Sequence, residues 1–190
     1  LNNGKHVAPY DEHGNPQAWL SSESKSYFDT VKSTLIEDKE AKEFLVKIGL
    51  EKPDLLAEFK NYIALSYKDE SPSVEIEKYL QDISMAYETY REYRNTPDKR
   101  DELVNTIKSL YFIKARNAGT GYKLFKKPDQ VYVPAKEKEL EMWFHGNEQA
   151  FFVDEKILHY FTNERREFEE FFSAIGVSNE VKFIEPLRFD

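Results

Sequence analysis

Apolar side chains recur at helical spacing through most of the first 110 residues. Between Asp38 and Ile48 they share one helical face, and the segment stops at Gly49, where a left-handed residue typically ends a helix. Leu50 is then expected to fold back onto Leu45. The same spacing predicts further helices over about 23–35, from Pro53 and Asp54 to near Lys68, from Ser71 and Pro72 through Tyr90, and from Thr96 and Pro97 to about Ser109.

Beyond Ser109 the pattern changes to short aromatic and β-branched runs. Two strands are predicted over 110–115 and 122–125, joined by a glycine-containing turn. The elements predicted after them are a run at 131–133, a short helix at 137–144, a strand fragment at 151–153, a strong helix at 163–175 that stops at Gly176, and an edge strand at 181–184. Glycine and proline breaks in the first 19 residues predict an irregular arm or edge hairpin.

These elements predict a mainly α, α+β fold. A helical bundle is followed by a small antiparallel sheet, with a winged-helix-like element, and by a C-terminal helix. The predicted organisation is an arm over 1–22, a helical subdomain over 23–95 and a mixed subdomain over 96–190. Because the chain opens at Leu1 without an initiator Met, it is expected to be a segment of a longer protein.

The amino-acid composition limits the classes of protein to which this chain can belong. The 190 residues include 14 Phe and 12 Tyr, which is enough aromatic surface for one good core or two small ones. Apolar runs stay far below the roughly 20 residues that a membrane helix needs, so no membrane partner is expected. The lack of cysteine excludes disulfides and thiolate zinc sites, and it favours a cytoplasmic location.

One short stretch near the start of the chain has a counterpart near its end. Residues 43–50 align without gaps on residues 170–177, and each stretch closes with a glycine followed by an apolar residue. Two explanations stay open. Either two ordinary helices use the same stop signal, or the chain contains parts of two repeated units.

Three later stretches follow one another in a characteristic order: Lys126–Pro134, then Trp143–Gly146 with Phe151–Asp154, then Glu169–Val177. This order resembles that of sacsin-like proteins, large chains that include the plant NO VEIN type and many bacterial relatives. Residues 41–55 also look like the helical part of such proteins. The resemblance implies a bacterial segment that lies downstream of a histidine-kinase and chaperone type ATPase domain, and it supplies no catalytic residue.

Patterns of known catalytic sites are missing from the sequence. Glu102 and Asn105 are three residues apart, whereas the magnesium-binding helix of such an ATPase needs four, and Gly119-Thr120-Gly121 is best explained as a hairpin turn. None of the four histidines has a partner at the i, i+4 spacing of a helical zinc site, and no Gly-x-Ser-x-Gly motif occurs. We therefore expect no catalytic, cofactor-binding or metal-binding residue here. An enzyme with a new arrangement stays open, but no residue can be nominated for it.

One segment of the chain is basic, although the chain as a whole is acidic. Residues 97–136 hold nine basic and four acidic side chains, a net charge of +5, so the other residues carry −13 of the total of −8. A helix followed by a basic hairpin with interleaved aromatic residues is the order of a winged-helix element, whose wing can contact phosphates. The candidate nucleic-acid-binding residues are Lys114, Arg116, Lys123, Lys126 and Lys127. The alternative is that these lysines protect the edge of a small sheet.

The sequence thus favours a non-catalytic structural or interaction module of a large multidomain protein that contains an ATPase domain. Its expected partners are other domains of the same parent chain and other proteins. Nucleic-acid binding through the basic hairpin 114–127 is the alternative function.

Overall fold

A computed structural model describes residues 1–14, 16–21, 28–134 and 139–180. The mainly α, α+β class is confirmed: helices dominate, with one small three-stranded antiparallel sheet and a helix after it. The chain forms two compact units, Leu1–Ile63 and Ala64–Asp190. The predicted boundary at 95/96 lies inside the second unit, because the long helix before it packs against two later helices of that unit.

In its described residues, the first unit contains three α-helices, Ser33–Glu37 (α1), Lys39–Lys47 (α2) and Leu55–Glu58 (α3), and then a π-helical turn at Phe59–Ile63. Asp38 caps α2 by accepting a hydrogen bond from the Ala41 N–H at 2.8 Å, as its side chain is suited to do. The helix ends at Gly49, which has a φ of +94° as predicted. A small core formed by Ala18, Leu20, Val31 and Leu50 lies beside these helices.

The helix predicted over 23–35 differs from the structure. Its residues 23–27 lie outside the described part of the chain, and residues 28–32 are not helical. Pairing with another segment explains this, since the Trp19 N–H donates to the Asp29 carbonyl and the Val31 N–H donates to the Trp19 carbonyl. Non-local backbone pairing therefore overrides the local helical pattern here.

The described part of the second unit contains five α-helices: Ile76–Glu92 (α4), Pro97–Ser109 (α5), Glu139–Trp143 (α6), Glu155–Tyr160 (α7) and Arg165–Ile175 (α8). Shorter 3-10 turns lie at Ala64–Tyr67, Tyr93–Asn95, Pro128–Gln130 and Thr162–Glu164. The predicted start of α4 at Ser71-Pro72 was wrong by about one turn, because residues 71–75 are not helical and the helix begins at Ile76. α7 was not predicted.

The sheet consists of Ile113–Asn117 (β1), Lys123–Lys126 (β2) and Phe151–Val153 (β3) in the order β2-β1-β3, with both pairings antiparallel. The predicted strand pair and its turn are confirmed, although β1 starts three residues later than expected. The run at 131–133 forms only isolated bridges, through Tyr132. The predicted edge strand at 181–184 lies outside the described residues.

Aromatic side chains fill much of the interior of the second unit, and two of their clusters contact α4. The first cluster consists of Tyr67, Tyr79, Phe112 and Phe125, with ring centroids 4.9 to 6.2 Å apart. The second consists of Tyr87, Phe161, Phe168, Phe171 and Phe172. Both clusters include tyrosines of α4, so this helix is the centre of the unit. None of the helices in the described residues is long and apolar enough to cross a membrane.

Candidate nucleic-acid interface

The candidate basic residues lie on β1 and β2, or directly after β2, and we call these strands with their turn the hairpin. Asn117 organises the turn. Its side-chain oxygen accepts hydrogen bonds from the Gly119 N–H at 3.0 Å and from the Thr120 N–H at 2.8 Å, and its amide donates to the Glu148 carbonyl at 2.6 Å. Position 119 requires glycine, because the Cβ of any other residue would lie 3.0 Å from the Glu148 backbone nitrogen. The turn is therefore held by the buried Asn117 side chain through partly buried hydrogen bonds.

Register places the basic side chains on both faces of the hairpin. Residues directly opposite each other in an antiparallel pair share a face, so Lys114 lies with Phe125, and Arg116 lies with Lys123. Lys126 is opposite Ile113 on the other face. The five candidate cations therefore do not form a single basic surface.

Lys123 pairs with a buried acid. Its ammonium lies 3.1 Å from Oδ1 and 3.0 Å from Oδ2 of Asp154, which is only 1% exposed. The same Oδ1 accepts the Lys156 N–H at 3.1 Å, so Asp154 is also the N-cap of α7. The pair connects β2 to the start of this helix.

Arg116 and Lys126 also have acidic partners within the second unit. Arg116 donates to Oε1 of Glu141 on α6 at 2.5 Å, and its side chain is 32% exposed. The Lys126 ammonium lies 3.8 Å from Oε1 of Glu70 and 4.7 Å from the centre of the Phe151 ring. The Lys126 side chain is largely buried, as expected for an ammonium whose contacts lie within the protein.

The remaining two cations lie over aromatic rings. The Lys114 ammonium is 5.0 Å from the centre of the Phe125 ring, and the Lys127 ammonium is 5.3 Å from the centre of the Tyr111 ring. Both distances are within the range of a cation–π interaction. Each of the five predicted residues therefore has an identified partner inside the second unit.

Buried tyrosines adjoin the hairpin from α4 and from the 3-10 turn at 64–67. The Tyr79 hydroxyl accepts the Lys114 N–H at 3.1 Å, and the Tyr67 hydroxyl donates to Oδ2 of the buried Asp82 at 2.9 Å. Burial raises the pKa of Tyr79 well above its ordinary value; the Lys114 hydrogen bond opposes this effect, and the charges of Asp154 and Asp82 add to it. The Tyr79 phenol is therefore held neutral, and both hydroxyls act as hydrogen-bonding groups.

The other chemically interesting side chains are scattered. All four histidines are exposed, and the His159 ring forms a hydrogen bond with the Glu155 carbonyl of its own helix, at 2.7 Å. Across the ranges that the structure describes, no three His, Asp or Glu side chains lie close enough to hold a metal ion.

Sequence reasoning missed the roles of Asp154 and Asn117. An aspartate before Glu-Lys-Ile-Leu is a helix-cap signal like those at Asp38 and Asp54, so Asp154 could have been found from the sequence. Its pairing with Lys123 could not, since the two residues are 31 positions apart. Asn117 precedes a glycine-containing turn, where asparagine commonly bonds the following backbone.

Comparison with known proteins identifies no relative: no protein-family model, no curated protein and no solved structure matches this chain.

Proposed function

We propose that this chain is a non-catalytic structural and interaction module of a larger multidomain protein. The strongest support comes from the contacts that the basic side chains of the hairpin make. Lys123, Arg116 and Lys126 hold β1 and β2 to acids of other segments, and Lys114 and Lys127 lie over rings. Charges that are engaged in this way stabilise a fold, whereas a phosphate-binding surface presents them to solvent.

The parent protein of this proposal is a sacsin-like chain with an ATPase domain. The support is the order of the motifs between Lys126 and Val177, together with the helical stretch at 41–55. Within such a protein the module would bind other domains of the same chain or partner proteins. Its own residues would supply rigid helices and a small sheet, and no reacting group.

Calorimetry tests the non-catalytic part. The purified chain should give no binding heat with ATP and magnesium, or with zinc alone. Release of phosphate from ATP should stay at the level of buffer. Saturable hydrolysis that a single substitution abolishes would refute the proposal.

The competing function, nucleic-acid binding by the hairpin, rests on the net charge of +5 over residues 97–136. The test uses the paired substitutions Lys126→Gln and Lys127→Gln, which leave the Lys123–Asp154 pair in place. The matched control replaces Lys47 and Lys52, two exposed lysines of the first unit, by Gln. Fluorescence anisotropy with a labelled duplex and a labelled single strand should show only weak binding. The hairpin variant and the control variant should change the affinity equally. Steeply salt-dependent binding that only the hairpin variant loses would favour the competing function.

A further inference from the structure

A groove lined mainly by polar side chains lies where α5 packs against α4 and α8. Its volume is about 430 Å³. Along α5, Arg100, Val104 and Lys108 follow one another at i, i+4 spacing, so their side chains share one helical face. Tyr90 of α4 and Ala174 of α8 complete the lining. The groove therefore lies within the second unit, and cations stand at both ends of its α5 face.

Three polar side chains of this groove are not used by the fold. The Lys108 ammonium, the Asn105 amide and the Tyr90 hydroxyl make no hydrogen bond or ion pair with any residue that the structure describes. Lys108 and Asn105 are exposed and lie three residues apart on α5. Lys108 thus differs from the five candidate cations of the hairpin, each of which has a partner. These three donors are free to bind a ligand.

Arg100 supplies a second cation whose pairing is easily exchanged. Its Nε and Nη2 both lie 3.2 Å from the same oxygen of Asp101, the adjacent residue, whose side chain is 64% exposed. An exposed ion pair contributes little to stability, and solvent screens the charge of an exposed carboxylate. A ligand with several oxygens would give each of these two N–H groups its own acceptor, which is the bidentate arrangement that arginine favours.

The charges and donors of the groove match a phosphate monoester. Arg100 and Lys108 supply two positive charges, and a phosphorylated serine or threonine carries a charge of about −2 near neutral pH. Its three terminal oxygens can accept from the guanidinium, from the ammonium and from the Asn105 amide. A carboxylate has one charge and two oxygens. A nucleic-acid strand presents a row of singly charged phosphates, which needs a longer row of cations than this groove has.

We propose that this groove binds a phosphorylated serine or threonine side chain of a partner protein. Arg100 and Lys108 would bind the phosphate oxygens, and Asn105 and Tyr90 would donate hydrogen bonds to the phosphate or to its ester oxygen. This inference rests on the proposed function and deepens it, because it gives the interaction module a class of partner. ATP with magnesium offers no free dianion, since the metal binds its phosphates, so the calorimetric expectation for that mixture is unchanged.

Fluorescence anisotropy on the 190-residue chain tests this proposal. The probe is a labelled peptide, Gly-Ala-Ser-Ala-Gly, with phosphoserine at its centre, and the matched probe carries unmodified serine. The variants are Lys108→Gln and Asn105→Ala, and the control is Lys156→Gln, which removes an exposed lysine from α7. Urea unfolding of each variant shows whether it keeps the wild-type fold.

The phosphorylated probe should bind about tenfold more tightly than the unmodified probe. Lys108→Gln should weaken this binding about tenfold and Asn105→Ala several-fold, whereas Lys156→Gln should leave it unchanged. Equal binding of the two probes would overturn the proposal. So would a folded Lys108→Gln variant that binds the phosphorylated probe as the wild type does.

Two competitors distinguish other sources of phosphate. Inorganic phosphate and a single-stranded oligonucleotide should displace the probe only at concentrations several-fold above that of unlabelled phosphopeptide, and displacement by either at an equal concentration would overturn the assignment to a phosphorylated protein. Failure of the groove and failure of the proposed function are distinguishable. Without probe binding the groove fails while the non-catalytic module stands, whereas Lys108-dependent release of phosphate from the probe would refute the non-catalytic part and leave the groove in place.

Discussion

Replacing Lys123 by alanine should destabilise the second unit by about 2 kcal/mol. The estimate follows from the burial of the two partners. An exposed ion pair contributes about 0.2–1 kcal/mol, whereas removing one member of a fully buried pair costs about 3–5 kcal/mol. Asp154 is 1% exposed and the Lys123 side chain is 45% exposed, so this pair lies between the two limits.

The loss is expected because Asp154 would keep its hydrogen bond from the Lys156 N–H but would lose the ammonium of Lys123, the one cation that pairs with it among the described residues. A change of about 2 kcal/mol lowers the folding equilibrium constant roughly 30-fold. It should also lower the melting temperature by about 4–8 °C, as is typical for a protein of this length. Urea unfolding followed by far-UV circular dichroism measures the first quantity, and calorimetry measures the second.

A double-mutant cycle isolates the pair. Asp154→Asn keeps an acceptor for the α7 cap and removes the buried charge, so Lys123→Ala should cost about 1 kcal/mol less in that background than in the wild type. The control is Lys156→Ala, which removes an exposed lysine from the same helix start and should change stability by less than about 0.5 kcal/mol. If Lys123→Ala is as harmless as Lys156→Ala, Lys123 has no structural role and the main support for the proposed function is lost.

Five further substitutions test other parts of the structure, each by urea unfolding. Asn117→Ala should cost about 2 kcal/mol, because the turn N–H groups and the Glu148 carbonyl lose their buried partner; an unchanged midpoint would contradict this. Phe171→Ala should cost about 3–5 kcal/mol and Phe44→Ala less than about 0.5 kcal/mol, because Phe171 is completely buried whereas Phe44 is 61% exposed; similar losses would contradict this difference in burial. Gly176→Ala should cost about 1 kcal/mol through its left-handed φ alone, since a Cβ there meets only ordinary contacts, the nearest at 3.7 Å. Because the pKa of Tyr79 is raised, the fold favours the neutral phenol, and this contribution to stability is lost as the pH rises above about 10. The stability difference between wild type and Tyr79→Phe should therefore narrow from pH 9 to pH 11.

Local sequence signals correctly predicted where several helices begin or end. α2 and α8 each end at a glycine followed by a returning apolar residue, and α5 begins at the predicted Pro97. The same kind of signal failed at Ser71-Pro72, where the chain is not helical until Ile76. A cap contributes only about 1 kcal/mol, so packing of the segment can override it.

The roles of the hairpin cations could not be predicted from the sequence. The number of lysines and arginines was visible, and so was their position on two strands. Their partners Glu141, Asp154 and Glu70 lie 25, 31 and 56 positions away in the chain, and only tertiary folding brings these charges together. A cluster of like charges in a sequence therefore does not distinguish a ligand-binding surface from a set of separate ion pairs.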